Sequence, residues 1–89
     1  MRESDIEHYL GLRVKSMGGI SYKFTSPGRV GVPDRIVVLP GARLMFVELK
    51  APGKLPEAHQ LREHARLIAL GQRVEVIDSL AGVEGLLEP

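Results

Sequence analysis

Residues 31–50 read GVPDRIVVLPGARLMFVELK. A proline and an acid open an apolar, β-branched run at 34–39, and Pro40-Gly41-Ala42 forms a turn short enough to join it to a second apolar run at 43–50. The pair reads as a β-hairpin. Side chains two apart on a strand share a face, so Leu44, Phe46, Glu48 and Lys50 point one way while Met45, Val47 and Leu49 point the other. An antiparallel return from the turn brings Asp34 close to residues 48–50. Two acids and a lysine therefore gather at one end of the most hydrophobic stretch of the chain. A small domain has little stability to spare, and charges in core strands need a partner or a use.

Outward from the hairpin, the pattern supplies the remaining elements. Ile6, Leu10, Val14 and Met17 recur at helical spacing and predict an amphipathic helix over 3–17, stopped by Gly18-Gly19. Residues 20–24 alternate apolar and polar, the pattern of a strand with one buried face. Residues 26–33 hold two glycines and two prolines and read as a loop. After the break at 51–53, a second helix is expected from about 56 to 70, with Pro56 in its first turn and Ala58, Leu61, Ala65 and Ile68 as its inner stripe. Gly71 ends it, 74–77 reads as a last strand, and Asp78 or Ser79 can cap a short helix through Leu87 that Gly82 and Gly85 weaken. The expected fold class is α/β, with a mixed central sheet flanked by helices in the order α-β-β-β-α-β-α.

Eighty-nine residues, 44% of them hydrophobic, allow one domain, spanning 1–89, and exclude a second. Cysteine is absent, which removes disulfides and thiolate metal sites and points to a cytoplasmic location. No stretch approaches the roughly 20 apolar residues that a membrane span requires, and the N-terminus lacks the apolar run of a signal peptide. The net charge of +1 announces no polyanionic partner by itself. Between positions 29 and 73, however, Arg29, Arg35, Arg43, Lys50, Lys54, Arg62, Arg66 and Arg73 outnumber the acids, and a locally basic face competes with ordinary surface solvation as the reason.

Two carboxylates at close range repel unless a proton or cation intervenes, and a hard divalent ion with oxygen ligands resolves the conflict. Mg²⁺ suits Asp34 and Glu48, and Lys50 alongside could polarise a water or hold an anionic substrate, a combination that fits phosphodiester hydrolysis. The plainer reading is a salt bridge from Lys50 to Glu48 or Asp34 at a strand end. Glu3 and Glu7 lie one helical turn apart and share a face, so either could reach the same centre; for Glu7 a capping box with Ser4 is the competing role, which would leave Glu3 the better ligand. His59 and His64 are five apart and no HExxH pattern exists, so zinc is not expected, and His8 reads as surface. No serine or cysteine nucleophile motif is present.

Pro33-Asp34 followed by Glu48-Leu49-Lys50 resembles the PD-(D/E)xK nuclease superfamily. GlyValProAspArgIle, PheValGluLeuLysAlaProGly and a downstream Gln60 are similar, more narrowly, to the VRR-NUC (virus-type replication and repair nuclease) family, in particular its small stand-alone phage members, over Glu3 to about Ser79. The resemblance implies that Asp34, Glu48 and the Leu49 carbonyl bind Mg²⁺ or Mn²⁺, that Lys50 positions or activates the attacking water, that Gln60 supports the centre, and that a first-helix acid, Glu3 or Glu7, completes it. It places Lys23 and Ser26 near the DNA backbone. Arg29 and Arg35 flank the same loop as further DNA-contact candidates, with plain solvation the rival reading.

The expected activity is that of a metal-dependent DNA endonuclease acting as a homodimer, and the family resemblance implies cleavage that leaves 5′-phosphate and 3′-hydroxyl ends on branched DNA such as four-way junctions. For a phage member the compartment is the host cytoplasm. No membrane partner and no nucleotide cofactor are expected. The alternatives are a non-catalytic nucleic-acid-binding module of the same fold and a structural domain whose hairpin acids only make salt bridges.

Overall fold

The computed structural model describes residues 1–89. Its elements follow the order α1 (Glu3–Ser16), β1 (Ile20–Lys23), β2 (Arg35–Leu39), β3 (Arg43–Leu49), α2 (Ala58–Ala69), β4 (Val74–Ile77) and α3 (Leu80–Leu87). The four strands form one sheet in the order β1-β2-β3-β4. The first three pair antiparallel, with Leu39 opposite Arg43 across the Pro40-Gly41-Ala42 turn, and β4 pairs parallel with β3 after the α2 crossover. The hairpin and the element order are those the sequence pattern implies, and this mixed sheet with three helices is an α/β fold.

The core lies on one face of the sheet. Val37, Leu39, Met45, Val47, Leu49 and Ile77 meet Ile6, Leu10 and Val14 of α1 and Val83, Leu86 and Leu87 of α3, all buried. The strand alternation read from residues 44–50 therefore holds. Helix α3 forms despite Gly82 and Gly85: Ser79 Oγ accepts the Gly82 amide at 2.9 Å, and three buried aliphatic side chains at about 2 kcal/mol each outweigh two glycines at about 1 kcal/mol each. A polar clamp adds to this contact. Glu84 accepts the Tyr9 hydroxyl at 2.6 Å and two Arg13 guanidinium donors at 2.7 and 3.1 Å, tying α3 to α1.

Four expectations need correction. Helix α2 begins at Ala58, with Pro56 outside it and Glu57 as its cap. Its presumed inner stripe faces solvent: Leu61 and Ile68 are 54% and 56% exposed, Ala58 and Ala65 are also exposed, and the buried residues are Glu63 and His64. In β1 the apolar residues Ile20 and Tyr22 are likewise exposed, because the sheet face opposite the core is covered by α2 only where that helix reaches Glu48. The basic residues also fail to form one face: Arg43 and Arg73 bond carbonyls of α3 and its C-terminal end, while Arg35 turns to Ser21.

The Glu84 clamp predicts an acid limb in stability. Hydrogen bonds from Arg13 and then Tyr9 pull the Glu84 carboxyl down from 4.5 to about 2. The folded state therefore holds fewer protons than the unfolded state between those values, so this stabilisation is complete above pH 4.5 and is lost as the pH falls towards 2. Chemical denaturation from pH 6 to pH 2 should show that loss, and Glu84→Gln should flatten it.

Candidate active site

The hairpin sets Asp34, just before β2, beside the end of β3. Asp34 Oδ2 accepts the Leu49 amide at 2.8 Å, which anchors the acid to the strand carrying the other two groups. Glu48 is 1% exposed and Lys50 lies next to it on the same face, with Nζ 3.6 Å from Glu48 Oε2. Burial first, and then the neighbouring Asp34 carboxylate, push the Glu48 carboxyl up to about 7; Lys50 opposes the shift without cancelling it. The three residues predicted to converge do so.

Gln60 connects this cluster to α2. Its carbonyl oxygen accepts the Glu57 amide at 2.8 Å, as the third residue of a capped helix can, and its amide nitrogen donates to Glu48 Oε2 at 2.9 Å. The two bonds fix the orientation of the amide, since only the carbonyl can accept and only the NH₂ can donate. Gly31 makes the approach of the preceding loop possible. Its φ is +85°, and a Cβ there would sit 2.6 Å from the His59 carbonyl oxygen and 3.1 Å from Gln60 Cα. Loop and helix thus meet backbone to backbone above the carboxylates.

The structure adds a residue that sequence reasoning passed over. His64, one turn beyond Gln60, is 4% exposed, and its Nε2 lies 3.6 Å from Glu48 Oε1. Both atoms are buried without a hydrogen-bond partner. Burial holds His64 below the ordinary imidazole range, favouring the neutral ring. The signal was the i, i+4 spacing from Gln60, which requires the same helix face once Gln60 points inward.

Glu3, Glu7, Lys23, Asp34 and Arg35 line one cavity of about 280 Å³ at the end of the sheet. The first-helix acids therefore open onto the same space as Asp34. Ser4 does not cap α1, because the helix begins at Glu3 and its start is closed by Asp5, which accepts the Arg2 amide at 2.7 Å. Glu7 instead faces the Arg35 guanidinium at 3.8 Å. Arg35 is further held by the Ser21 hydroxyl and carbonyl at 3.0 Å each, so two of its five donors are already engaged. Lys23 and Arg29 are exposed, Ser26 is half-buried, and Arg29 lies 3.5 Å from Glu63. No three His, Cys, Asp or Glu side chains converge tightly enough to cage an ion unaided. Two carboxylates would leave the remaining positions of an ion to water or substrate, an all-oxygen donor set suited to a hard divalent ion and poor for zinc. The unpartnered Glu48 Oε1 fits that reading.

No family model matches the sequence. The chain is similar to a protein described as "Putative nuclease p44" from Acyrthosiphon pisum secondary endosymbiont phage 1, 60% identical over 79 residues that make up 89% of this chain and 85% of that protein. Among solved structures it is similar to one described as "VRR_NUC domain", with a TM-score of 0.88 and 37% identity over 96% of this chain and 92% of the other.

The state of Glu48 predicts a second pH effect, opposite in sign to that of Glu84. The folded carboxyl titrates at about 7 and the unfolded one near 4.5, so the folded state holds the extra proton between them. Its stabilising contribution is complete below pH 4.5 and is lost as the pH rises through 7, on the order of 3 kcal/mol. In EDTA, denaturation curves should show this decline, Glu48→Gln should remove it, and Mn²⁺ should restore stability at pH 7.

Proposed function

The chain belongs to the VRR-NUC family of nucleases, and from that membership we propose that it is a Mg²⁺- or Mn²⁺-dependent endodeoxyribonuclease acting on branched DNA. The observation that carries the metal assignment is the buried Glu48 carboxylate next to Asp34, with one oxygen left unpartnered. Asp34, Glu48 and the Leu49 carbonyl would hold the ion. When bound, such an ion supplies Lewis-acid polarisation of the scissile phosphate and lowers the pKa of a coordinated water.

The protein's own groups do the rest. Gln60 holds Glu48 in one rotamer by donating to Oε2, leaving Oε1 free for the ion. Lys50 places a positive charge beside the reacting phosphate, where it stabilises charge developing in the transition state and orients the attacking water. Glu3 or Glu7, opening onto the Asp34 cavity, completes the polar shell. Lys23, Ser26 and Arg29 meet the DNA backbone, and Arg35 steadies Glu7 and the β1 edge. Hydrolysis adds water across one P–O bond, leaving a 5′-phosphate and a 3′-hydroxyl.

A homodimer is supported by the apolar surface that this fold leaves open. Ile20, Tyr22, Leu44 and Val76 on the outer sheet face are 42–54% exposed, and Leu61 and Ile68 of α2 are 54% and 56% exposed. An isologous pair covering such surface would set two centres on one DNA branch point.

Purified protein incubated with labelled linear, flapped and four-way DNAs should cut with Mn²⁺ and not with EDTA. Asp34→Ala and Lys50→Ala should each lower cleavage by at least about 10²-fold. DNA affinity without any metal-dependent cutting would mark a binding module instead. Light scattering should give twice the 9.8 kDa chain mass, and Leu61→Glu or Tyr22→Glu should shift the species towards monomer; a wild-type monomer at working concentration rules the dimer out.

A further inference from the structure

We propose that the cleft between the Gly28–Val30 loop and α2 is a binding subsite for a backbone phosphate of the DNA, built by Arg29, Arg62 and Arg66 around Glu63. This rests on the nuclease reading above and extends it to residues outside the metal centre. The cleft measures about 380 Å³ and is lined by these four side chains together with His59.

Its charge is unbalanced. Three guanidiniums share one carboxylate, an excess of two positive charges. Glu63 is only 9% exposed, and it touches Arg29 at 3.5 Å and Arg66 at 3.7 Å, both long for a guanidinium–carboxylate pair. Each arginine has five N–H donors, so both keep most of theirs free, while Glu63 holds the two forks in place from below. Arg62 has neither an ion pair nor a hydrogen bond to an acceptor, although it lines the same space. A buried acid that steadies two arginines beside an uncommitted third is a poor arrangement for stability alone. It is a good one for an incoming anion with several acceptor oxygens.

Position selects the anion. The loop carrying Arg29 leads through Gly31 onto the backbone of His59 and Gln60, and Gln60 is the residue that grips Glu48. Glu63 and Arg66 lie roughly 5 and 9 Å further along the helix axis than Gln60, a distance over which one DNA strand advances one to three nucleotides. A strand whose scissile phosphate sits at Asp34 and Glu48 therefore has a neighbouring phosphate within reach of the cleft. Contacts of this kind position the backbone without reading sequence, in keeping with a nuclease selecting DNA by shape.

The test uses the Asp34→Ala protein in EDTA, so that binding is read without cleavage, with a fluorescent four-way DNA titrated across salt concentrations. Arg62→Ala/Arg66→Ala in that background should weaken binding at least about tenfold near 0.1 M salt and reduce the slope of log K against log salt by about 2. Lys15→Ala, a charge loss on α1, should leave both unchanged. In the cleaving protein the double variant should raise KM with kcat held within about twofold. Arg62→Ala alone removes a side chain that pairs with nothing in the fold, so it keeps the test open should the double variant fold poorly, and it should lower the slope by about 1. An unchanged slope and affinity in a protein that does bind DNA would overturn the subsite and leave the nuclease reading intact. Normal salt-dependent binding through these arginines with no cleavage under any metal would sink the nuclease reading and leave the subsite standing.

Discussion

A carboxylate taken out of water beside a second carboxylate is one of the more expensive placements a small domain can make, and Glu48 occupies one in the middle of the sheet. Its neighbours answer that placement. Gln60 donates to one of its oxygens, Lys50 sets a positive charge 3.6 Å away, and the Leu49 amide binds the competing Asp34. What remains is an acid whose carboxyl is pushed up to about 7, with one bare oxygen.

The same demand turns α2 around. A helix packed on an apolar sheet face normally buries its apolar stripe, but here the sheet presents a carboxylate and an ammonium to it, and the helix answers with Gln60, Glu63 and His64. Leu61 and Ile68 are left outside in consequence. The core is therefore one-sided: α1 and α3 supply the apolar packing on one face of the sheet, and the other face carries Glu48 and Lys50. The aliphatic layer and the Glu84 clamp on the α1/α3 side supply stability that the polar layer consumes.

Much of this was legible in residues 31–50 alone. Strand alternation and a three-residue turn suffice to place Asp34, Glu48 and Lys50 together, because both are local rules with few exceptions. The facing of α2 was not legible by the same means, since amphipathic periodicity says that a helix has two faces without saying which partner waits for it. The information was nonetheless present. Leu61 lies roughly 100° around the helix from Gln60, so a helix that aims Gln60 at the centre turns Leu61 away and brings Glu63 and His64 inward with Gln60. The spacing of His64 to another histidine carries no signal; its informative partner is Gln60, one turn away. The burial of α3 against α1 lay further still from view, because it depends on contacts between the two ends of the chain.

The two-sided grip of Gln60 has a bearing on how this scaffold can vary. One residue both closes the first turn of α2 and holds the Glu48 side chain, so the register of the helix over β3 is locked at that point. Residues 51–56 carry none of that register: lengthening, shortening or reshaping them would alter the surface beside the cluster while the Glu48 end of β3 stays where it is. Substrate preference could diversify within such a family through that connection, with the chemistry carried along unaltered.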